Sequence, residues 1–233
     1  MSPKLLQAAD VASGTFLLAL VGMIATTVLL IMGTAWVGRK WKLPVALAGI
    51  MALVAAIHYY YANQVWLDAQ QMPIIYRYVD WMITVPLQVI SLYFFVRTAG
   101  PVSIGLFWRL LVASVAMVLA RYMGEADLMH PTLGFLIGLI LWLYILGEVF
   151  FGKLSEVSAN SANEPLQLGF FWLRLIVTIG WALYPLCYFV VRLGGGVDVA
   201  KLSVIYNLAD FVNQIAFGLA ILATAMKESA FSR

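Results

Sequence analysis

The 233 residues are 64% hydrophobic and 11% charged, against a roughly 45–50% apolar share in soluble domains, and the mean hydropathy is +0.94; a water-soluble fold is excluded, because one core cannot hide so much apolar surface. The net charge of +3 is carried at the ends of apolar runs and forms no dense patch, which argues against a nucleic-acid partner. A lone cysteine, Cys187, sits in an apolar run, so neither a disulfide framework nor a paired-thiol metal site can be built, and its expected role is packing.

Residues 1–10 lack the charged start and small-residue cleavage site of a secretory signal, so the first apolar run is expected to be retained. Apolar runs then cover 11–37, 43–65, 72–96, 102–123, 131–151, 168–191 and 199–226. Each approaches or exceeds the ~20 residues that carry a helix across a bilayer. The breaks hold turn and polar residues: Gly38-Arg39-Lys40, Thr98-Ala99-Gly100-Pro101, Gly124-Glu125-Ala126-Asp127, a Ser/Asn-rich stretch at 152–165, and Gly194-Gly195-Gly196. Hydrocarbon offers the backbone no hydrogen-bond partner, so the runs are helices; barrel strands would be shorter and strictly alternating. The expected fold is an all-α bundle of seven transmembrane helices, forming a single domain over 1–233.

Basic residues set the orientation. Arg39, Lys40, Lys42, Arg97, Lys153, Lys227 and Arg233 fall on one side of a seven-span chain, which the positive-inside bias assigns to the cytoplasm. The opposite side carries Lys4, Arg192 and Lys201 with Asp10, Asp68, Asp127 and Asp198. The N-terminus is therefore expected outside and the C-terminus inside, in a multi-pass protein of the cell (inner) membrane whose first partner is the lipid bilayer. Trp41, Tyr59, Tyr60, Tyr61 and Trp66 lie near span ends and are expected to act as interfacial anchors.

Ionisable groups deep in a span are costly, face the protein interior and often mark ion pathways or ligand sites. On the third run, Arg77, Asp80, Thr84 and Ser91 follow at helical steps and share one stripe. On the seventh, Tyr206, Asp210 and Gln214 form a second seam, flanked by Asn207 and Asn213. Two carboxyls and an arginine are thus expected to meet near the midplane. Spacing alone leaves open whether they serve chemistry or are a buried ion-pair network that fixes helix packing.

The segment Arg77-Tyr-Val-Asp-Trp-Met-Ile-Thr-Val-Pro-Leu-Gln88 resembles the third helix of microbial (type 1) rhodopsins, and specifically the proteorhodopsin group. Tyr122-Met-Gly-Glu-Ala126 is similar to the end of its fourth helix, Trp181-Ala-Leu-Tyr-Pro185 to its sixth, and Ile205-Tyr-Asn-Leu-Ala-Asp-Phe-Val-Asn213 to its seventh. The resemblance runs through nearly the whole chain. It implies a light-driven outward proton pump whose retinal is joined to a seventh-helix lysine as a protonated Schiff base. Carried over by position, it places Trp81 and Trp181 on the two faces of the polyene, with Tyr184 and Pro185 in contact. Asp80 becomes the primary counterion and proton acceptor, Asp210 the second carboxyl, and Arg77 and Tyr206 complete the network. Thr84 takes the usual threonine position, and His58 matches the second-helix histidine that pairs with the counterion. Ser91 replaces the cytoplasmic carboxylic proton donor, and a hydroxyl cannot hold a transferable proton as that acid does. Gln88 occupies the colour-tuning position and resembles the blue-absorbing variants. A ring of protomers, pentamer or hexamer, is also implied.

One position departs from the pattern. The retinal-bearing lysine would follow Asn213 directly, and that residue is Gln214, whose carboxamide cannot form a Schiff base. The lysines of the chain, Lys4, Lys40, Lys42, Lys153, Lys201 and Lys227, all belong to span ends or membrane surfaces. Covalent retinal and pumping are therefore not expected; retinal is expected to be absent, or present as free retinal held without a bond. Without the Schiff-base cation, Asp80 and Asp210 share Arg77, and one of them, Asp80, is expected to hold a proton. Two readings stay open: a proteorhodopsin-like protein, naturally lysine-less or engineered from Lys to Gln, that has lost its photochemistry; or a noncovalent retinal-binding or regulatory membrane protein without ion transport. Neither is an enzyme, and neither calls for a metal.

Overall fold

The computed structural model describes residues 10–69, 75–193 and 198–231. Lys4, Arg233, the start of the third apolar run and the Gly194-Gly195-Gly196 turn lie outside the described residues. Among those described there is no strand, and seven helices are long and apolar enough to cross a membrane.

Helix α1, Val11–Gly33, is capped by Asp10, whose carboxylate accepts from Ser13 N at 2.9 Å. A 3₁₀ turn at Arg39–Trp41 leads into α2, Lys42–Ala69, and α3 covers Ile75–Arg97 with Pro86 inside it. Helix α4, Ile104–Glu125, is capped by Ser103, and α5, Pro131–Phe150, starts with proline in its first turn, where a missing N–H costs nothing. Between them Asp127 sits at φ 55°, the left-handed region that Asp tolerates in turns. The sixth span is built from α7, Glu164–Leu175, a π-helical turn at Ile176–Gly180, and α8, Trp181–Leu193; α9, Val199–Phe231, is the seventh.

Two boundaries differ from the sequence reading for identifiable reasons. The polar stretch at 152–165 contains a short helix, α6, Lys153–Ala159, carrying a Lys153–Glu156 ion pair at 2.6 Å. The sixth span begins at Glu164 rather than 168, because Asn163 caps it through Leu166 N at 3.0 Å and Pro165 suits the first turn. Hydropathy is blind to a polar first turn that a cap stabilises.

The bundle turns large apolar side chains outward and buries its in-span ionisable groups beside an apolar core. Val21, Ile24, Val28, Ile140 and Ile179 are among the large apolar side chains turned outward, whereas Arg77, Asp80 and Asp210 are at most 2% exposed. That inversion of the soluble pattern is expected where lipid is the outer solvent. Helix α1 packs on α2 and α9, α3 on α2 and α4, and α7 on α9, which closes the ring. Helices α4 and α5 approach most closely at Gly124 and Gly134, where a Cβ on Gly134 would sit 2.5 Å from the Ala120 carbonyl oxygen.

Three of the expected interfacial aromatics are interior groups instead. Trp41, Tyr59 and Trp66 are 1%, 0% and 3% exposed, and each finds an internal acceptor: Glu228 for Trp41, Asp210 for Tyr59 and Asp10 for Trp66. A polar tip with a buried partner removes the reason to sit in the headgroups. Tyr60 and Tyr61, 53% and 65% exposed, remain at the surface. At the opposite end of the bundle from Asp10, Glu228 near the end of α9 gathers Lys40 Nζ at 2.5 Å, the Trp41 indole and Asn163 Nδ2 at 2.5 Å, tying the entrances of the second and sixth spans to the last helix.

Candidate functional site: a polar network beside an apolar cavity

The α3 seam faces inward as its spacing requires: Arg77, Asp80, Thr84 and Ser91 are each no more than 2% exposed. Tyr206, Asn207, Asp210, Asn213 and Gln214 on α9 are no more than 4% exposed and face it.

The two carboxyls sit in different surroundings. Asp210 Oδ1 accepts from Tyr184 Oη at 2.5 Å and Trp81 Nε1 at 3.3 Å, while Oδ2 accepts from Tyr59 Oη at 2.7 Å and lies 3.7 Å from Arg77 Nη1. Three donors and a guanidinium thus surround this carboxyl. Asp80 has far less. Gln214 Nε2 donates to its Oδ2 over a long 3.5 Å, and its Oδ1 is buried without a hydrogen-bond partner.

Arg77 is held from several sides. Its Nη2 donates to Asn207 Oδ1 at 2.7 Å, and Asn207 Nδ2 in turn donates to Thr15 Oγ1 of α1 at 3.0 Å. The guanidinium also lies 5.1 Å from the Tyr206 ring and 5.7 Å from the Phe16 ring, within cation–π range. Tyr206 therefore meets the arginine through its ring. Thr84 Oγ1 donates to the Asp80 carbonyl at 3.1 Å and Ser91 Oγ to the Leu87 carbonyl at 2.7 Å, so both hydroxyls are tied to their own helix.

His58 does not form the expected pair with Asp80. Its Nε2 is buried without a hydrogen-bond partner, and its ring packs edge-on against Tyr59 at 5.6 Å. Neighbouring residues on a helix point about 100° apart, and the one that α2 turns into the network is Tyr59.

Beside the network lies a cavity of about 110 Å³, walled by residues of α3, α4, α5, the sixth span and α9. Trp81, Gln88, Trp181, Tyr184, Pro185 and Gln214, the residues that the resemblance singles out for a chromophore, all line it, together with Thr84, Tyr206 and Asp210. The volume is several times the minimum of roughly 10–15 Å³ for one water, and aromatic and aliphatic walls with a few polar groups suit an elongated apolar ligand. The lining of the cavity suits a polyene. It does not fit one attached through an amine, since among the described residues no lysine lines it.

The π-helical turn shapes one wall. Widening a helix there disturbs the regular carbonyl pairing, and Trp142 Nε1 of α5 donates to the Val177 carbonyl at 3.1 Å. Gly180, at the end of that turn, lies against the Asn213 amide, where a Cβ would collide, and Asn213 Nδ2 donates to Tyr184 Oη at 3.2 Å. The sixth and seventh spans are thereby locked together beside the cavity.

Several participants escaped the sequence reading. Tyr59 was read as an anchor, yet it donates to Asp210; Trp142 and Arg121 were not singled out, yet both line the cavity. Arg121 was visible as an in-span arginine. It lies over the Tyr188 and Phe135 rings at 4.3 and 5.1 Å and 3.5 Å from Glu125.

Comparison with known proteins agrees with this geometry. The profile of the family described as bacteriorhodopsin-like protein matches residues 11–228. The green-light absorbing proteorhodopsin of Gamma-proteobacterium EBAC31A08 is 37% identical over 226 residues, 97% of this chain and 90% of the relative. The blue-light absorbing proteorhodopsin of Gamma-proteobacterium Hot 75m4 is 37% identical over 227 residues, with the same two shares. Among solved structures, the blue light-absorbing proteorhodopsin from Med12 has a TM-score of 0.80 at 39% identity, covering 94% of this chain and 100% of that one. The rhodopsin of Exiguobacterium sibiricum reaches a TM-score of 0.83 at 27% identity, covering 95% and 98%. With its seven spans, buried polar network and proteorhodopsin relatives, this is a multi-pass protein of the cell membrane, and it belongs to the bacteriorhodopsin-like, proteorhodopsin-type family of microbial rhodopsins.

Proposed function

We propose that this chain is a proteorhodopsin-type protein that has given up covalent photochemistry, and that its cavity holds an apolar ligand, free retinal or a relative of it, by contacts alone. One observation carries the reading: Gln214 stands at the cavity wall one helical turn after Asp210, in the place where the resemblance puts the retinal-bearing lysine, with its amide turned to Asp80. A carboxamide cannot become a Schiff base, and no other described lysine reaches the cavity.

The charges support the same reading. Arg77 pairs with Asp210, as do most of the donors around it, which leaves Asp80 with one long amide contact and no direct ion pair. Two buried anions facing one cation would leave an uncompensated charge, so Asp80 keeps a proton and cannot serve as the acceptor of a pump. Ser91, bonded to its own helix, offers no acid for reprotonation. The basic ends of the spans support a cytoplasmic C-terminal end of α9, and likeness to the family supports assembly into a ring of protomers.

The test is to restore the amine. Gln214→Lys with added all-trans retinal is expected to give a blue-absorbing pigment, with Gln88 beside the polyene, and illuminated cells are expected to acidify their medium. The unmodified chain is expected to do neither. A covalent retinal adduct on the unmodified chain, detected by mass after borohydride reduction, would overturn the reading.

A further inference from the structure

Building on noncovalent binding in the cavity, the hydrogen-bonding groups of its wall identify what the ligand carries at its polar end. Most of them are already engaged. Thr84 donates to the Asp80 carbonyl, Tyr184 donates to Asp210 and accepts from Asn213, and Arg121 faces Glu125. Two remain. Gln214 Oε1 is a buried acceptor without a donor, and Gln88 Nε2 is a buried donor without an acceptor; the residues are 4% and 3% exposed and line the same cavity.

We infer that the cavity selects an elongated apolar alcohol, a polyene or isoprenoid chain ending in a hydroxyl, over the corresponding aldehyde. A hydroxyl both donates and accepts, so it can serve Gln214 Oε1, Gln88 Nε2 or the two together. An aldehyde oxygen only accepts and leaves the Gln214 carbonyl buried and unpaired, the situation that most weakens binding to a polar site. A carboxylate also only accepts. It would add an anion beside Asp80 and Asp210, and Arg121, already facing Glu125, is not a vacant cation for it. An ammonium donates but cannot accept from Gln88 Nε2. In this structure Gln214 Nε2 faces the Asp80 carboxyl, and Oε1 is left without a donor.

The experiment uses the full chain in lipid nanodiscs, titrated with all-trans retinol, retinal, retinoic acid and retinylamine. Binding is read from quenching of tryptophan emission, since Trp81, Trp142 and Trp181 all line the cavity. Retinol is expected to bind on the order of tenfold more tightly than retinal, the size of effect for one buried acceptor left unpaired, and retinoic acid and retinylamine more weakly than retinol. Gln214→Leu is expected to abolish the preference, so that retinol and retinal bind with equal affinity, and circular dichroism of the same nanodiscs reports that the variant folds. Retinal, retinoic acid or retinylamine binding as tightly as retinol would overturn the inference, as would an alcohol preference that survives Gln214→Leu; in the case of retinal the noncovalent reading would still stand. If none of the four binds, the two vacant groups are served by water, and both the alcohol preference and the noncovalent ligand fall together.

Discussion

Gln214 and Asp80 face each other across the bundle axis, the amide nitrogen of one donating to Oδ2 of the other at 3.5 Å. A neutral side chain thus stands opposite one carboxyl, while Asp210, one turn before Gln214, receives Tyr59, Tyr184, Trp81 and the Arg77 guanidinium. Structure and charge have separated two acids that lie on facing helices.

That separation predicts one protonated and one ionised carboxyl at neutral pH. Infrared difference spectra are expected to show a protonated carboxyl band that disappears in Asp80→Asn and persists in Asp210→Asn. Finding both carboxyls ionised in the unmodified chain would contradict the charge assignment.

The same asymmetry predicts unequal costs of substitution. Arg77→Gln leaves Asp210 as a buried anion without its cation and is expected to destabilise the protein by about 3–5 kcal/mol. Asp80→Asn removes no paired charge and is expected to cost less than about 1 kcal/mol. Thermal unfolding in detergent, followed by circular dichroism, would separate the two. Equal losses would mean that Asp80 is as strongly paired as Asp210.

At the π-helical turn, Trp142→Phe keeps the aromatic wall but leaves the Val177 carbonyl without its indole donor. The expected loss is about 1–3 kcal/mol, together with faster amide hydrogen exchange in the segment 176–180. Unchanged exchange there would show that the turn does not depend on α5.

At the end of the bundle away from Asp10, Glu228 binds three donors, but its Lys40 partner is half exposed, at 50% of its side chain. Lys40→Ala is therefore expected to change stability by less than about 1 kcal/mol, whereas Glu228→Ala strands the Trp41 indole and the Asn163 amide and is expected to cost about 1–3 kcal/mol. Parallel unfolding of the two variants decides this. If Lys40→Ala proved the more damaging, the ion pair, and not the buried hydrogen bonds, would be holding that end.

The sequence alone determined the architecture and which polar side chains of the third and seventh spans face inward. Lipid forces long apolar helices, so the seven spans stand out in hydropathy, and the scarcity of in-span charge made Arg77, Asp80 and Asp210 conspicuous. The step of three or four residues then fixed which faces meet, and the structure places those side chains inward. That Gln214 carries a carboxamide, which cannot form a Schiff base in any fold, could likewise be read without coordinates.

Only the tertiary structure decided who partners whom. Helical period says that a residue faces inward but not which neighbour it meets, and a rotation of one residue on α2 brings Tyr59 rather than His58 to the carboxyls. The π-helical turn, the indole that serves it and the allotment of Arg77 to Asp210 depend on distances between helices far apart in sequence. Hydrogen bonding acts over about 3 Å, and no local pattern in a sequence sets a distance between spans to that tolerance.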